Sequence, residues 1–158
     1  MKKIISSISM ILCVSLVGCA QEVVTTNEES IEETETIETK ETMENTVDGE
    51  HVITVDGTEE TYSNIEVYKT GEADGDEADF YGENSAIFTT NKGTLNLTNA
   101  TITTNGTHAN AIFSYGEGSV VNVSDSTIET SGNCSGGIMT TGGGTMNASN
   151  LTIHTTGN

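Results

Sequence analysis

From Ala86 onward, apolar and polar residues alternate in short runs that recur every 25 or 26 positions. Leu95 and Leu97 flank Asn96, Val121 and Val123 flank Asn122, and Met146 and Ala148 flank Asn147. A second run follows each of these: Thr101-Ile102, Thr127-Ile128 and Thr152-Ile153. A third precedes them: Ala86-Ile87-Phe88, Ala111-Ile112-Phe113 and Gly137-Ile138-Met139. Each unit closes at Gly106, Gly132 or Gly157. A period of two puts alternate side chains on opposite faces of a strand, so each run predicts a strand with one buried face. Gly, Asn, Ser and Thr separate the runs, as turns do. Three short strands per unit, with each unit stacked on the next, predict an all-β parallel β-helix of about four coils. The leucine-rich repeat spacing is absent, and a propeller blade needs about 40 residues and four strands.

A degenerate unit extends the register towards the N-terminus. Asn64-Ile65-Glu66-Val67 aligns with Asn99-Ala100-Thr101-Ile102, and Gly71 with Gly106. The spacing there is 35, so one coil carries a ten-residue insertion, placed at Glu72 to Glu83. Val52 to Val55 is the expected first strand, and the repeat domain spans 51–158. The alignment also stacks Asn64, Asn99, Asp125 and Asn150 at the turn before each third strand. Such a column is expected to be a structural ladder that satisfies turn backbone groups and neighbouring amides. The outward threonines Thr101, Thr127 and Thr152 form another column. The next outward position reads Thr103, Glu129 and His154, so no flat threonine array results, and threonine's preference for strands accounts for it. The chain stops at Asn158, where earlier units run on into Ala-Ile-Phe. An incomplete last coil is therefore expected, with Met146, Leu151 and Ile153 uncovered.

Charge changes the picture at the other end. The formal net charge is -19, and all 24 acidic residues follow Cys19, against only Lys40, Lys69 and Lys92. Such a chain is repelled by nucleic acid and by anionic headgroups. Residues 21–50 hold eleven acids and seven threonines with no sustained apolar period. That stretch buries too little surface to offset its ordering entropy, so a disordered tether over 19–50 is expected.

Before the tether, Lys2 and Lys3 precede an apolar run from Ile4 to Val14, and then Leu16-Val17-Gly18-Cys19. The run is shorter than the about 20 residues that span a bilayer. This arrangement resembles the signal peptide and lipobox of bacterial lipoproteins. The resemblance implies removal of 1–18, lipidation of Cys19, and extracytoplasmic display from a membrane. With Cys13 removed and Cys19 lipidated, only Cys134 is left; a lone thiol can react or pair with another chain, but the expectation here is a small residue tolerated in a turn. The extracellular setting and the turn composition favour the right-handed form of the β-helix.

The repeats carry a second resemblance. Phe80-Tyr81-Gly82-Glu83-Asn84-Ser85-Ala86, continuing through Gly142-Gly143-Gly144-Thr145, resembles the adhesin-like β-helix surface proteins of gut Firmicutes. It covers roughly residues 51–158. It implies a surface-anchored binding module, with glycans or a host surface as partner. The alternative is a fragment of a β-helix polysaccharide lyase or hydrolase that lacks its catalytic coils.

Lyases of this fold use an arginine or lysine base beside carboxylates that hold calcium. This chain has no arginine, and neither Lys69 nor Lys92 lies in a matching motif. Hydrolases need paired acids. Glu117, Asp125 and Glu129 have no acidic counterparts at the same repeat position, and His51, His108 and His154 occupy unrelated positions. A solvated role is expected for His108 and His154, and no enzymatic activity is expected. The insertion offers different chemistry, because Glu72, Asp74, Asp76, Asp79 and Glu83 are candidate oxygen ligands for calcium. Glu72, Asp74, Asp76 and Glu83 fall at positions 1, 3, 5 and 12 of a calcium-loop frame, but Glu77 stands where that frame needs glycine. An EF-hand is therefore excluded. What remains open is a looser calcium site or a solvated acidic insertion, with no other cofactor implied.

Lipidation makes the first prediction. Cells fed a fatty-acid analogue should label the wild-type protein and leave Cys19→Ala unlabelled. Equal release of both forms into the medium would reject the anchor.

Overall fold

The computed structural model describes residues 39–158. Cys19, the segment 1–18 and the expected tether as far as residue 38 lie outside the described residues. Within them the chain forms β1 (Glu41–Asn45), β2 (Ile53–Asp56), β3 (Glu59–Ser63), β4 (Ile65–Lys69) and one short helix, α1 (Asp76–Tyr81). Then follow β5 (Ile87–Thr90), β6 (Thr94–Thr98), β7 (Thr101–Thr104), β8 (Ile112–Tyr115), β9 (Val120–Thr130), β10 (Ile138–Thr141) and β11 (Thr145–Thr155). Every strand pair is parallel. The product is a β-solenoid of about four turns, as the repeat predicts.

Two sheets wall the solenoid. One has four strands in the order β10-β8-β5-β2, and the other has seven, with β11 added beside β9. The larger sheet is two faces joined at a corner. In the early coils the corner breaks the chain into β3 and β4, or β6 and β7, whereas β9 and β11 run through it. The bend sits at Asn64, Asn99, Asp125 and Asn150, all left-handed with φ between 50° and 57°. Asn and Asp enter that region more readily than other non-glycine residues. The single αL residue puts two successive side chains outward and turns the strand without a loop.

Register converts the sequence repeat into columns. Ile53, Ile87, Ile112 and Ile138 stack inside the four-stranded sheet. Val67, Ile102, Ile128 and Ile153 stack inside the larger one, with Met43 above Val67. Ile128 is fully buried while its neighbour Thr127 is only half-buried, so the face assignment read from the alternation holds. The final coil is the least covered: Met146 and Leu151 are half-buried and Ile153 is 42% exposed.

Two boundaries differ from the sequence reading. The first strand is β1, inside the segment expected to be a disordered tether to residue 50. Its residues show no apolar period because, of Glu41, Met43 and Asn45 on the inward side, only Met43 is apolar. What orders them is the free edge of β4: five register pairs run from Glu41↔Ile65 to Asn45↔Lys69. The stretch after β1 is held as well, since the Gly49 N–H donates to the Glu72 carbonyl at 3.1 Å and the Glu72 N–H donates to Asp48 Oδ1 at 2.8 Å. The insertion lies between β4 and β5 as expected, but it folds in part into α1. Asp76, Glu77 and Asp79 favour the positive end of a helix, and Gly82 ends it in the αL conformation. Six residues are too few to show a helical period.

A glycine column sets the closest approach of the coils. A Cβ at Gly106 would overlap the Gly71 carbonyl oxygen; at Gly132, that of Gly106; at Gly157, that of Gly132. Gly132→Ala should therefore lose about 3 kcal/mol of stability through overpacking against backbone. Gly116→Ala meets nothing within 4 Å and should cost about 1 kcal/mol, from its φ of +88° alone. Equal losses in urea unfolding would show that close approach is not what excludes a side chain at Gly132.

Candidate functional site

The outward face of β6, β9 and β11 presents amides at one height on successive coils. Asn96, Asn122 and Asn147 are in register and point away from the core between buried Leu95, Leu97, Val121 and Val123. Asn122 Nδ2 donates to Asn96 Oδ1 at 2.8 Å, and Asn147 Nδ2 donates to Asn122 Oδ1 at 2.8 Å. Asn96 Nδ2 in turn donates to Glu59 Oε1 at 3.2 Å. Each amide gives to the coil before it, so the run ends naturally on a carboxylate, which only accepts. Beside the ladder lie hydroxyls: Thr98 and Ser124 are 3.3 Å apart, oxygen to oxygen. Together with Ser149 these groups line an open groove of about 330 Å³. The sequence aligned these asparagines as a repeat position. It did not mark them as a bonded outer ladder, because an Asn between two leucines reads equally as a plain polar outward residue.

The column that was expected as a ladder is one in two halves. Asn99 Nδ2 donates to Asn64 Oδ1 at 2.5 Å, and Asn150 Nδ2 donates to Asp125 Oδ1 at 2.6 Å. Asp125 has no N–H to pass on to Asn99, so the chain of amides breaks there. The bonds from Asn150 and then Ser124 hold the Asp125 carboxyl below its ordinary value.

Two carboxylates of the insertion meet at one histidine. Asp79 Oδ1 lies 2.7 Å from His108 Nδ1, and Asp74 Oδ1 lies 3.6 Å from its Nε2. The Glu83 carboxylate lies against Gly49, and Asp76 is exposed on α1. Glu72 is exposed and is held by its backbone N–H. Among the described residues, no three His, Cys, Asp or Glu side chains converge as a metal site requires. His108 itself is not the solvated turn residue expected. It is 7% exposed, left-handed at φ 53°, and clasped by the insertion. A ten-residue insertion at one coil is what covers it, and a repeat alignment cannot show which turn an insertion folds over. His154 is exposed, and Cys134 is exposed in a turn with φ 55°.

Three further polar groups escaped the sequence reading. Asn84, buried and left-handed, donates to the Gly71 carbonyl at 2.6 Å and the Thr107 carbonyl at 3.1 Å, and accepts from the Gly49 N–H at 3.2 Å. One amide thus ties three turns together. Lys69 is wholly buried with Nζ donating to the Val47 carbonyl at 2.8 Å, and burial lowers its pKa against the opposing pull of Asp48 and Glu50. Its register partners in later coils are Thr104 and Thr130, so it fills the slot that threonine occupies elsewhere. His51 stacks on Phe88 at 4.5 Å with Nδ1 2.8 Å from the Ser85 carbonyl, and burial lowers its pKa despite that bond.

At the first coil, Glu60 stands where later coils place Leu95, Val121 and Met146. Tyr62 donates its hydroxyl to Glu60 Oε2 at 2.7 Å, and that bond, with burial and the charges of Glu60 and Glu41, raises its pKa from 10.0 to about 12. The pair is a polar lid on one end of the core. A phenol whose folded-state pKa is raised contributes stability in full below pH 10 and loses it as the pH rises from 10 to 12. Lys69 acts in the opposite sense, with stability gained as the pH rises towards its ordinary 10.5. The difference between wild type and Tyr62→Phe isolates the phenol. It should be flat below pH 10 and close between pH 10 and 12 in denaturant titrations; a difference that stays flat to pH 12 would reject the bond.

No protein-family profile, no curated protein and no solved structure matches this chain.

Proposed function

We propose that this protein is a lipid-anchored, extracytoplasmic binding module, and that the groove along Asn96, Asn122 and Asn147 is where it contacts glycans. The observation that carries the reading is the fixed row of amides and hydroxyls on an outward sheet face. Ladder bonds hold each amide in one orientation before any ligand arrives, so little side-chain entropy remains to be lost on binding. Strand spacing repeats the same donor and acceptor about every 4.8 Å. A polymer that repeats its own hydroxyls can therefore meet several coils at once. With a net charge of -19 the chain favours neutral over acidic glycans. Anchoring at Cys19 keeps the module at a membrane surface, and two acyl chains hold it there stably.

The test is a glycan array probed with the full chain carrying Cys19→Ala to keep it in solution. Neutral oligosaccharides should be retained, and Asn122→Ala should weaken retention about fivefold, the worth of roughly one hydrogen bond. Asn150→Ala, in the other ladder, should leave retention unchanged. Absence of any glycan binding, or equal loss in both variants, would reject the groove as the contact site. Turnover of a polysaccharide would favour the lyase or hydrolase reading instead.

A further inference from the structure

The chain has only seven Phe and Tyr residues and no Trp, and five of the seven gather on one side of the solenoid. They lie on the outward face of the four-stranded sheet, where α1 is packed. Phe113 is buried against Gly82, where a Cβ would come within 2.7 Å of its ring. From there a strip of rings leads outward. Phe88 and Tyr115 stack at 6.4 Å, and Tyr81 meets Tyr115 edge to face at 5.6 Å and 80°. The strip ends uncovered at Tyr81, which is 51% exposed, and its helix neighbour Phe80 is 57% exposed. The Phe80 carbonyl accepts from the Thr141 hydroxyl, which pins this end of α1 to the coils. The exposed rings are thus held in place rather than trailing from a loose loop.

Carboxylates border these rings. Asp76 and Glu77 stand one helical turn before Phe80 and Tyr81, on the same sides of α1. Glu117 follows Tyr115 by two residues, and the two stand against the adjacent glycines Gly143 and Gly142. None of these three acids has a lysine within salt-bridge distance among the described residues, although Lys92 stands at the neighbouring turn against Gly118. Rigid aromatic faces beside uncompensated acids attract cations twice, through the ring quadrupole and through charge. Neutral sugars would gain from the rings but not from the acids.

We propose that this face docks a basic peptide segment, with arginine or lysine seated on Phe80, Tyr81 and Tyr115 and held at the rim by Asp76, Glu77 and Glu117. Charge complementarity selects that occupant, and arginine is favoured over lysine because its flat guanidinium stacks on a ring. The proposal is independent of the glycan groove, which lies on the other sheet and uses no aromatic residue.

The experiment measures binding of a fluorescent peptide of alternating Arg and Gly to the full chain carrying Cys19→Ala, with Lys-Gly and Ser-Gly peptides for comparison. The Arg peptide should bind most tightly and the Ser peptide not at all. Phe80→Ser with Tyr81→Ser should weaken Arg-peptide binding about tenfold. Both rings are exposed, so thermal unfolding should be nearly unchanged, and an Asp76→Asn variant with Glu77→Gln gives a second reading that leaves the rings intact. Glu66→Gln with Glu129→Gln removes the same charge elsewhere and should alter binding less than twofold. Equal effects of near and remote charge removal, or no effect of the ring variants, would overturn the proposal in favour of general attraction to a chain of charge -19. Displacement of the peptide by neutral glycans alone would overturn the choice of occupant.

Discussion

At one corner of every coil the backbone passes over the backbone beneath it with no room for a methyl group. Gly71, Gly106, Gly132 and Gly157 mark that corner. The constraint is steric and local, yet the rest of the structure depends on it. Parallel strands about 4.8 Å apart must be matched in register on both sheets at once. A corner that swelled at one coil would tilt the next and break ladders on either side. With glycine in the corner, each coil closes at the same place, and like residues fall on like residues throughout.

Register then decides the fate of polar groups. Stacked amides form ladders only where each member can both give and accept. The outer run through Asn147, Asn122 and Asn96 does so and stops at Glu59, while the corner column breaks at Asp125 for want of a donor. One atom of difference between Asn and Asp therefore divides a ladder. Inside the core the same logic is harsher. Lys69 occupies a slot that suits threonine, and its buried ammonium is matched to a single backbone carbonyl. At the first coil Glu60 and Tyr62 close the core with a hydrogen bond where later coils use packed apolar side chains.

The insertion gives this solenoid its individuality. Without it the outward aromatics Phe88 and Phe113 would lie bare on a sheet face. With it, α1 covers Phe113, His108 is clasped between Asp74 and Asp79, and Asn84 joins three turns. Of the carboxylates that look in sequence like one ligand set, Asp74 and Asp79 meet at His108, and Glu83 lies against Gly49. An uninterrupted repeat has no such asymmetry, so whatever selectivity this face has arises from ten extra residues in one coil.

The sequence by itself determined the solenoid, its repeat length, the inward and outward faces and the place of the insertion. Alternation with a period of two, a constant unit length and a recurring glycine are local signals, and stacking merely repeats them. The tertiary structure decided what depends on neighbours far along the chain. Met43 alone shows no strand pattern, yet the unpaired edge of β4 recruits β1 onto it. His108 reads as a turn residue until an insertion from another coil covers it. The aromatics of α1, β5 and β8 belong to three segments, and only the winding of the coils sets them side by side. The physical reason is the same in each case: edges, lids and stacked rings are made by residues from different turns, and their contacts leave no periodic trace in any one of them.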